Sequence, residues 1–484
     1  MTVRRQVFRG AAVIGVGQGL GQVLSFLRNV IVARLLGPED FGIAATFALT
    51  VSLLEMISDL GADKLIIQAP DGDDPKLQAT AQLWQFARLA IGAILILIMA
   101  WPLAAMFGVL HARWAFYWLA LVPLMRGLMH LDIKRLQRHM RFGAQVSSDL
   151  GSQIIATALA WPLAYWLRDY SAMLWIVLVQ TAAYVLCSHL RAERAYRWSC
   201  DRETAARLFI FGWPLLVNSL LMFGIFQGDR AIIGAIYSMH DLGLYAAATA
   251  LAFAPSMFLG SIVSSITLPL LSRTQTDRGE FERRYGICIG VLTLIASLLV
   301  VILAILGPRL LTLIFGESYA GAGGCLVILG IAQSVRLLRV GTTSAAMALS
   351  DTVNSMWSNT WRIGGIVGAA VAAALGLPLL WIAAAALLGE ILALCYSALR
   401  LTRRHGIAAR CIARPILTIA PVVSAAVAIQ AYYPPKTVYG AGLFLVALSL
   451  CCGLSILVAS PGLRREIAHF KTYKTLTASM IESA

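Results

Sequence analysis

Fourteen apolar stretches, each long enough to cross a bilayer, constrain this chain more than any motif it carries. A hydrocarbon core about 30 Å thick needs roughly 20 apolar residues of helix. The stretches fall at 11–36, 42–69, 83–107, 114–131, 143–166, 171–190, 206–236, 242–271, 285–316, 322–349, 353–376, 378–400, 415–433 and 438–459. Only 13% of the 484 residues are charged and 59% are hydrophobic, which excludes a soluble multidomain enzyme. Spanning backbone must satisfy its own hydrogen bonds, so an all-α polytopic membrane protein is expected.

The 39 basic residues test the count of spans. With a cytoplasmic N-terminus, 26 of them fall in inner connections or the tail, 3 in outer connections (Arg113, Arg168, Lys436) and 10 inside helices. This asymmetry is that of a cytoplasmic membrane protein with both termini inside. It also accounts for the net charge of +15 without nucleic acid. One inner loop dissents, because Pro70 to Lys76 contains Asp71, Asp73 and Asp74. Acidic residues weigh little in orientation, so the topology stands. The basic start, Met1 to Arg9, leads into a long helix without a small-residue cleavage site, and no removable signal peptide is expected.

The segment from Arg28 through Ile43 recurs weakly from Asp229 through Leu244, at an offset of 201 residues. Asp40 then matches Asp241, and Gly42 matches Gly243. Six helices separate the two starts, so the copies run in the same direction and form a parallel repeat about the membrane normal. Transporters built this way bind substrate between their halves. We therefore expect an N-lobe at 1–200 (helices 1 to 6), a C-lobe at 201–405 (helices 7 to 12), and two additional helices with a basic tail at 406–484.

Ionisable residues inside the spans point to a polar interior. A charge facing lipid at mid-bilayer costs roughly 2.5–3.5 kcal/mol on an insertion scale, so the deep ones must face protein or water. Gln18, Gln22, Ser25 and Asn29 share one stripe of the first helix, with Arg28 at its margin. Glu55 and Asp59 lie in register on the second helix, while Arg336 and Arg339 stand three apart on the tenth and Arg362 lies on the eleventh. Arginines facing one way without an adjacent acid suit an anion; pairing with Glu55, Asp59 or Glu390 across the bundle is the structural alternative. Arg28, Arg336, Arg339, Arg362, Gln18, Gln22 and Asn29 are thus candidate substrate-binding residues. Glu55 and Asp59 are candidates for H⁺ or Na⁺ coupling, and the neighbours Asp229 and Arg230 for a packing or gating pair.

Catalytic and cofactor signatures are absent from the sequence. There is no H-E-x-x-H, G-x-S-x-G or Walker motif, and the eight cysteines show no metal spacing. Short connections leave no room for a glycosyltransferase site, so a transporter without cofactor or metal is expected.

The run Val23 to Gly42, with Phe211-Gly-Trp-Pro-Leu-Leu and Gly243-Leu-Tyr245, resembles the oligosaccharide flippases, the polysaccharide transporter family of the multidrug/oligosaccharidyl-lipid/polysaccharide exporter superfamily. That resemblance implies two six-helix lobes, sometimes with two further helices, and movement of undecaprenyl-pyrophosphate-linked glycans across the bacterial cytoplasmic membrane for surface polysaccharide synthesis. It also implies membrane lipids, a polysaccharide polymerase and export machinery as partners. The stretch Phe26 to Arg34 is similar to the first helix of the lipid II flippase family, where the arginine matching Arg28 engages pyrophosphate. Helix 2 departs from that family, with Leu53-Leu54-Glu55-Met56 where it carries an arginine pair, which makes lipid II itself a poor substrate. A cation-coupled multidrug antiporter of the same superfamily and a non-transporting scaffold of a polysaccharide synthesis complex stay open as alternatives.

Overall fold

The structure, a computed structural model, describes residues 3–57, 61–434, 437–459 and Arg464. Asp59, Lys436 and the basic tail beyond Arg464 lie outside the described residues. The described chain is all-helical and divides into two compact units, Met1–Ala247 with Ile314–Tyr319, and Ala248–Leu313 with Ala320–Ala484. All fourteen apolar segments coincide with helices, and ten described helices are long and apolar enough to cross a membrane.

The first part of the chain forms α1 (Val3–Leu36), α2 (Pro38–Ile57), α3 (Ala62–Gln68), α4 (Pro75–Met106), α5 (Arg113–Leu119), α6 (Leu121–Gly127), α7 (Asp132–Arg138), α8 (Gly143–Leu167), α9 (Ser171–Leu190), α10 (Arg202–Ile236) and α11 (Met239–Ser272). It continues with α12 (Arg278–Ile305), α13 (Gly307–Phe315), α14 (Gly323–Ala348), α15 (Thr352–Trp361), α16 (Ile363–Ala374), α17 (Leu379–His405), α18 (Arg410–Tyr432) and α19 (Val438–Ala459). Local chemistry sets several starts. Asp74 caps α4 by accepting from the Lys76 amide at 2.9 Å, with Pro75 in the first turn, and Asp201 caps α10 through the Thr204 amide at 2.8 Å.

Four expected spans are each broken in two: α2/α3, α5/α6, α12/α13 and α15/α16. Proline accounts for two breaks. Pro123 sits in the first turn of α6 and Pro308 in the first turn of α13, where a missing amide hydrogen costs nothing but the preceding helix cannot continue unbroken. At Arg362 the backbone tightens instead, with Arg362 N–H on Asn359 O (3.1 Å) and Gly365 N–H on Arg362 O (2.9 Å).

The internal repeat has a physical counterpart in the first unit. A Cβ at Gly42 would lie 1.8 Å from the Met239 carbonyl oxygen, and a Cβ at Gly243 would lie 1.8 Å from that of Pro38. Pro38 and Met239 carry the same offset as the two glycines. The first turns of α2 and α11 therefore cross backbone to backbone in a reciprocal, two-fold manner, an approach only glycine permits. The segment Ile314–Tyr319 joins this unit by its aromatics: Tyr319 donates to Ala33 O at 2.9 Å, and Phe315 meets Phe26 edge-on at 6.3 Å.

At the end of the first unit where basic loops gather, the acidic loop finds its partners. Arg207 grips Asp71 bidentately at 2.6 and 2.9 Å, and His139 and Arg138 reach Asp73 at 2.7 and 3.5 Å. Beneath them the fully buried Asp132 accepts from Arg135 Nε at 2.6 Å and from the amides of Glu193 and Arg194 at 2.8 and 3.3 Å. Burial pushes the Asp132 carboxyl up, but the Arg135 hydrogen bond and the two amides outweigh it and hold it below its ordinary value.

In the second unit α18 and α19 share a core with α12, built from Val301, Ala304 and Ile305 against Ile419, Ala426, Leu448 and Ile456. The two additional helices are thus packed on the body of their unit. Asp351, before α15, ties down the last turns of α17 through Arg400 at 2.9 and 3.0 Å.

Two outcomes are expected. Gly42→Ala should lower stability by about 3 kcal/mol, the upper end of overpacking costs, whereas Gly21→Ala, which meets nothing within 4 Å, should leave the melting curve in place. Because its folded carboxyl is depressed, Asp132 contributes stability above an unfolded-state value of about 4 and loses it as pH falls through the folded value. Asp132→Asn should therefore melt lower than wild type at pH 7, with the gap closing as the pH falls through the depressed folded value.

Candidate functional site

Arg28 lies two turns before the end of α1 and is 8% exposed. Its guanidinium turns towards α8 and α9, where Nη1 donates to Gln153 Oε1 at 3.3 Å and also to Gln180 Oε1, while Nη2 reaches Ser25 Oγ at 3.3 Å. Its buried Nε has no hydrogen-bond partner among the described residues. Every partner is neutral, so among the described residues the charge of Arg28 is solvated by amides and a hydroxyl and balanced by no carboxylate.

The surrounding polar seam follows helix periodicity. Gln145, Asp149 and Gln153 recur four apart on α8, and Gln180 and Tyr184 four apart on α9. Gln145 donates to Asp149 at 2.7 Å and to the Tyr184 hydroxyl at 3.4 Å. Gln153 and Gln180 were not singled out from the sequence, although the four-residue spacing on α8 is the signal that would have found the first. On α1, Gln18 and Gln22 are exposed and Asn29 is half-buried. Glu55 pairs with Arg126 of α6 at 2.6 Å, both partly exposed.

Asp229 and Arg230 send their side chains to different partners. Tyr245 of α11 donates to Asp229 Oδ2 at 2.7 Å, and Arg230 donates to Gln227 at 2.9 Å. Tyr245 is fully buried, so this bond joins α10 to α11 inside the first unit.

The second unit handles its arginines differently. Glu390 on α17 takes Arg339 at 3.1 Å on one carboxylate oxygen and Arg362 at 2.7 Å on the other, and all three side chains are 7–8% exposed. Arg339 also reaches Asn359 Oδ1 at 3.2 Å. The packing that makes this possible is again glycine on glycine, since a Cβ at Gly389 would lie 2.9 Å from Arg362 O and 3.0 Å from the Gly365 Cα. Arg336 does not join Arg339. It lies over the Phe253 ring, 4.9 Å from its centre, with Met257 Sδ 3.6 Å away. Two arginines thus share one carboxylate, with Arg336 on the same helix as Arg339.

Residues 31–323 match the polysaccharide biosynthesis protein family. The chain belongs to this family. Within 324 aligned residues it is 27% identical to the succinoglycan biosynthesis transport protein ExoT of Rhizobium meliloti (strain 1021), covering 64% of this chain and 63% of ExoT. The aligned region thus spans somewhat less than two thirds of that relative. An uncharacterized membrane protein in the cps region of Klebsiella pneumoniae is 20% identical over 72% of this chain and 75% of its own length. Among solved structures, the lipid II flippase MurJ in an inward closed conformation superposes with a TM-score of 0.71 over 94% of this chain and 99% of its own, at 11% identity. An inward-facing multidrug resistance MATE family transporter of the MOP superfamily gives 0.63 over 80% and 96%, at 15% identity. At such identities the likeness establishes the fold, and it is the fold expected from the helix count and the first-helix resemblance.

The two clusters should respond oppositely to truncation in this family member. Glu390→Ala leaves two buried arginines without a carboxylate and should destabilise by about 3–5 kcal/mol. Arg28→Gln removes a charge whose burial nothing ionic offsets and should leave thermal stability unchanged or raised. Melting of the purified variants in detergent, followed by size exclusion, reads both.

Proposed function

We propose that the protein is a flippase that moves undecaprenyl-pyrophosphate-linked oligosaccharide repeat units across the bacterial cytoplasmic membrane, for assembly of a surface polysaccharide. The observation that carries this reading is Arg28, a buried cation held by two glutamine amides and a serine and, among the described residues, by no acid. Such a group is a receptor for an anion. A pyrophosphate oxygen can take over from the Gln153 and Gln180 carbonyls, exchanging neutral acceptors for charged ones that form hydrogen bonds roughly twice as strong. The released amides, with Gln18, Gln22 and Asn29 on the same helix, are donors and acceptors of the kind sugar hydroxyls need.

The cationic group on the second unit plays the complementary part. Arg336, Arg339 and Arg362 provide positive potential for the same anionic head at a later stage of transport, with Glu390 fixing the geometry of two of them. Alternating access of the lobes 1–200 and 201–405 would carry the head across while the prenyl tail stays in lipid. Glu55, held by Arg126, and Asp229, held by Tyr245, are the groups we assign to coupling or gating. Glu55 and Glu390 are both occupied by arginine, and arginines outnumber acids within the spans, which favours an anionic substrate over the organic cations of a multidrug antiporter.

A strain lacking the gene should accumulate prenyl-pyrophosphate-linked oligosaccharide on the cytoplasmic side and lose surface polysaccharide. Plasmid-borne wild type should restore the surface polymer, and Arg28→Ala, expressed at the same level, should lower it roughly tenfold or more, the loss of one charged hydrogen-bonding group. Full activity of Arg28→Ala would remove Arg28 from the path. Absence of accumulation together with altered sensitivity to cationic dyes would place the protein among the drug exporters.

A further inference from the structure

At the basic end of α17, Tyr396, Leu399, Arg400, Arg403 and Arg404 follow one another at the three-and-four spacing of a single helix face and line a cavity of about 390 Å³. Asp351 engages Arg400 bidentately and Arg404 more loosely, at 3.4 Å. Arg403 is exposed and makes no ion pair among the described residues. Three arginines against one carboxylate leave the cavity cationic. The rest of its lining is aromatic and apolar: Tyr396, which stacks on Trp361 at 6.1 Å, and Leu399, which is 48% exposed. Along the same helix Leu388, Ile391 and Leu399 form an exposed apolar stripe that runs directly into the arginines.

We propose that this cavity is a binding site for an anionic phospholipid of the leaflet that the basic loops face. The phosphodiester would sit among Arg400, Arg403 and Arg404, the glycerol region against Tyr396 and Trp361, and an acyl chain along Leu399, Ile391 and Leu388. Each part matches a requirement of a lipid at the membrane interface: guanidinium for phosphate, aromatic rings at headgroup depth, and an aliphatic track below them. A soluble anion would use the arginines but has no need of the track. The site is separate from Arg28 and from the Glu390 triad, and it stands whether or not the transported substrate is a prenyl pyrophosphate.

The test uses the full chain in nanodiscs of equimolar phosphatidylglycerol and phosphatidylcholine, with retained lipid identified by native mass spectrometry after extraction. Wild type should retain phosphatidylglycerol preferentially, and Arg403→Gln/Arg404→Gln should lower that preference roughly thirtyfold, the effect of two surface arginines. Arg403→Lys/Arg404→Lys should keep most of it. Arg410→Gln/Arg414→Gln, which removes the same charge from the neighbouring α18, should keep it in full; an equal loss there would mean diffuse charge and overturn the site. Both glutamine variants leave the Arg400–Asp351 pair intact, and melting curves verify that they fold. Equal retention of the two lipids by wild type, or displacement of phosphatidylglycerol by millimolar inorganic pyrophosphate, would also overturn the proposal, the latter in favour of a soluble anion.

Discussion

A charge placed within a bilayer must be compensated by the protein, and the ways this chain compensates its deep arginines organise the structure. Lipid offers no hydrogen bonds, so each guanidinium needs acceptors from neighbouring helices. Those acceptors in turn dictate which helices lie together. Arg28 draws α8 and α9 onto α1 through Gln153 and Gln180, and Glu390 draws α14 and the α15/α16 break onto α17. Close packing then follows where glycine permits it. The Gly365–Gly389 approach brings Arg362 and Glu390 within 2.7 Å, a distance that a larger residue at either position would prevent.

The two solutions differ in kind. A carboxylate between two arginines forms a locked structural element, costly to break because each partner left behind is a buried unpaired charge. Amides around an arginine solvate it without neutralising it, which holds the side chain in place yet leaves its field available to an incoming anion. The first arrangement fixes geometry; the second is the one we assign to first contact with substrate. Residue type alone does not separate them, since Arg28 and Arg339 on their helices and Arg362 at the break between two share similar burial.

This is why the helices were legible in the sequence and the site only in part. Span length, hydropathy and the distribution of basic residues are local or summed properties, and they located the long apolar helices, though not the short α7 between two spans. Broken spans were less legible because a break such as Arg362 depends on hydrogen bonds that shift by one residue, not on composition. The repeat identified Gly42 and Gly243 as equivalent but gave no sign that they touch across a two-fold crossing. Arg28 was visible through its resemblance and its helix register. Its partners were not, because an uncharged amide does not announce itself as an arginine's partner and the two glutamines lie 125 and 152 residues away. The pairing of Arg339 with Glu390, 51 residues on, was only one alternative among several.

The acidic loop shows the same logic outside the membrane. Taken as net charge, Asp71, Asp73 and Asp74 contradict an inner location. Taken as partners, they are accounted for: Asp71 by Arg207, Asp73 by His139 and Arg138, and Asp74 by the first turn of α4. Arg138 uses the rest of its guanidinium to cap the carbonyls of Ile67 and Pro70 at 3.0 and 3.1 Å, closing the end of α3. The basic residues of these connections thus also bind them together. A charge count along a polytopic chain therefore records structure as well as topology, and the residues that depart from the count are the ones whose partners are worth finding first.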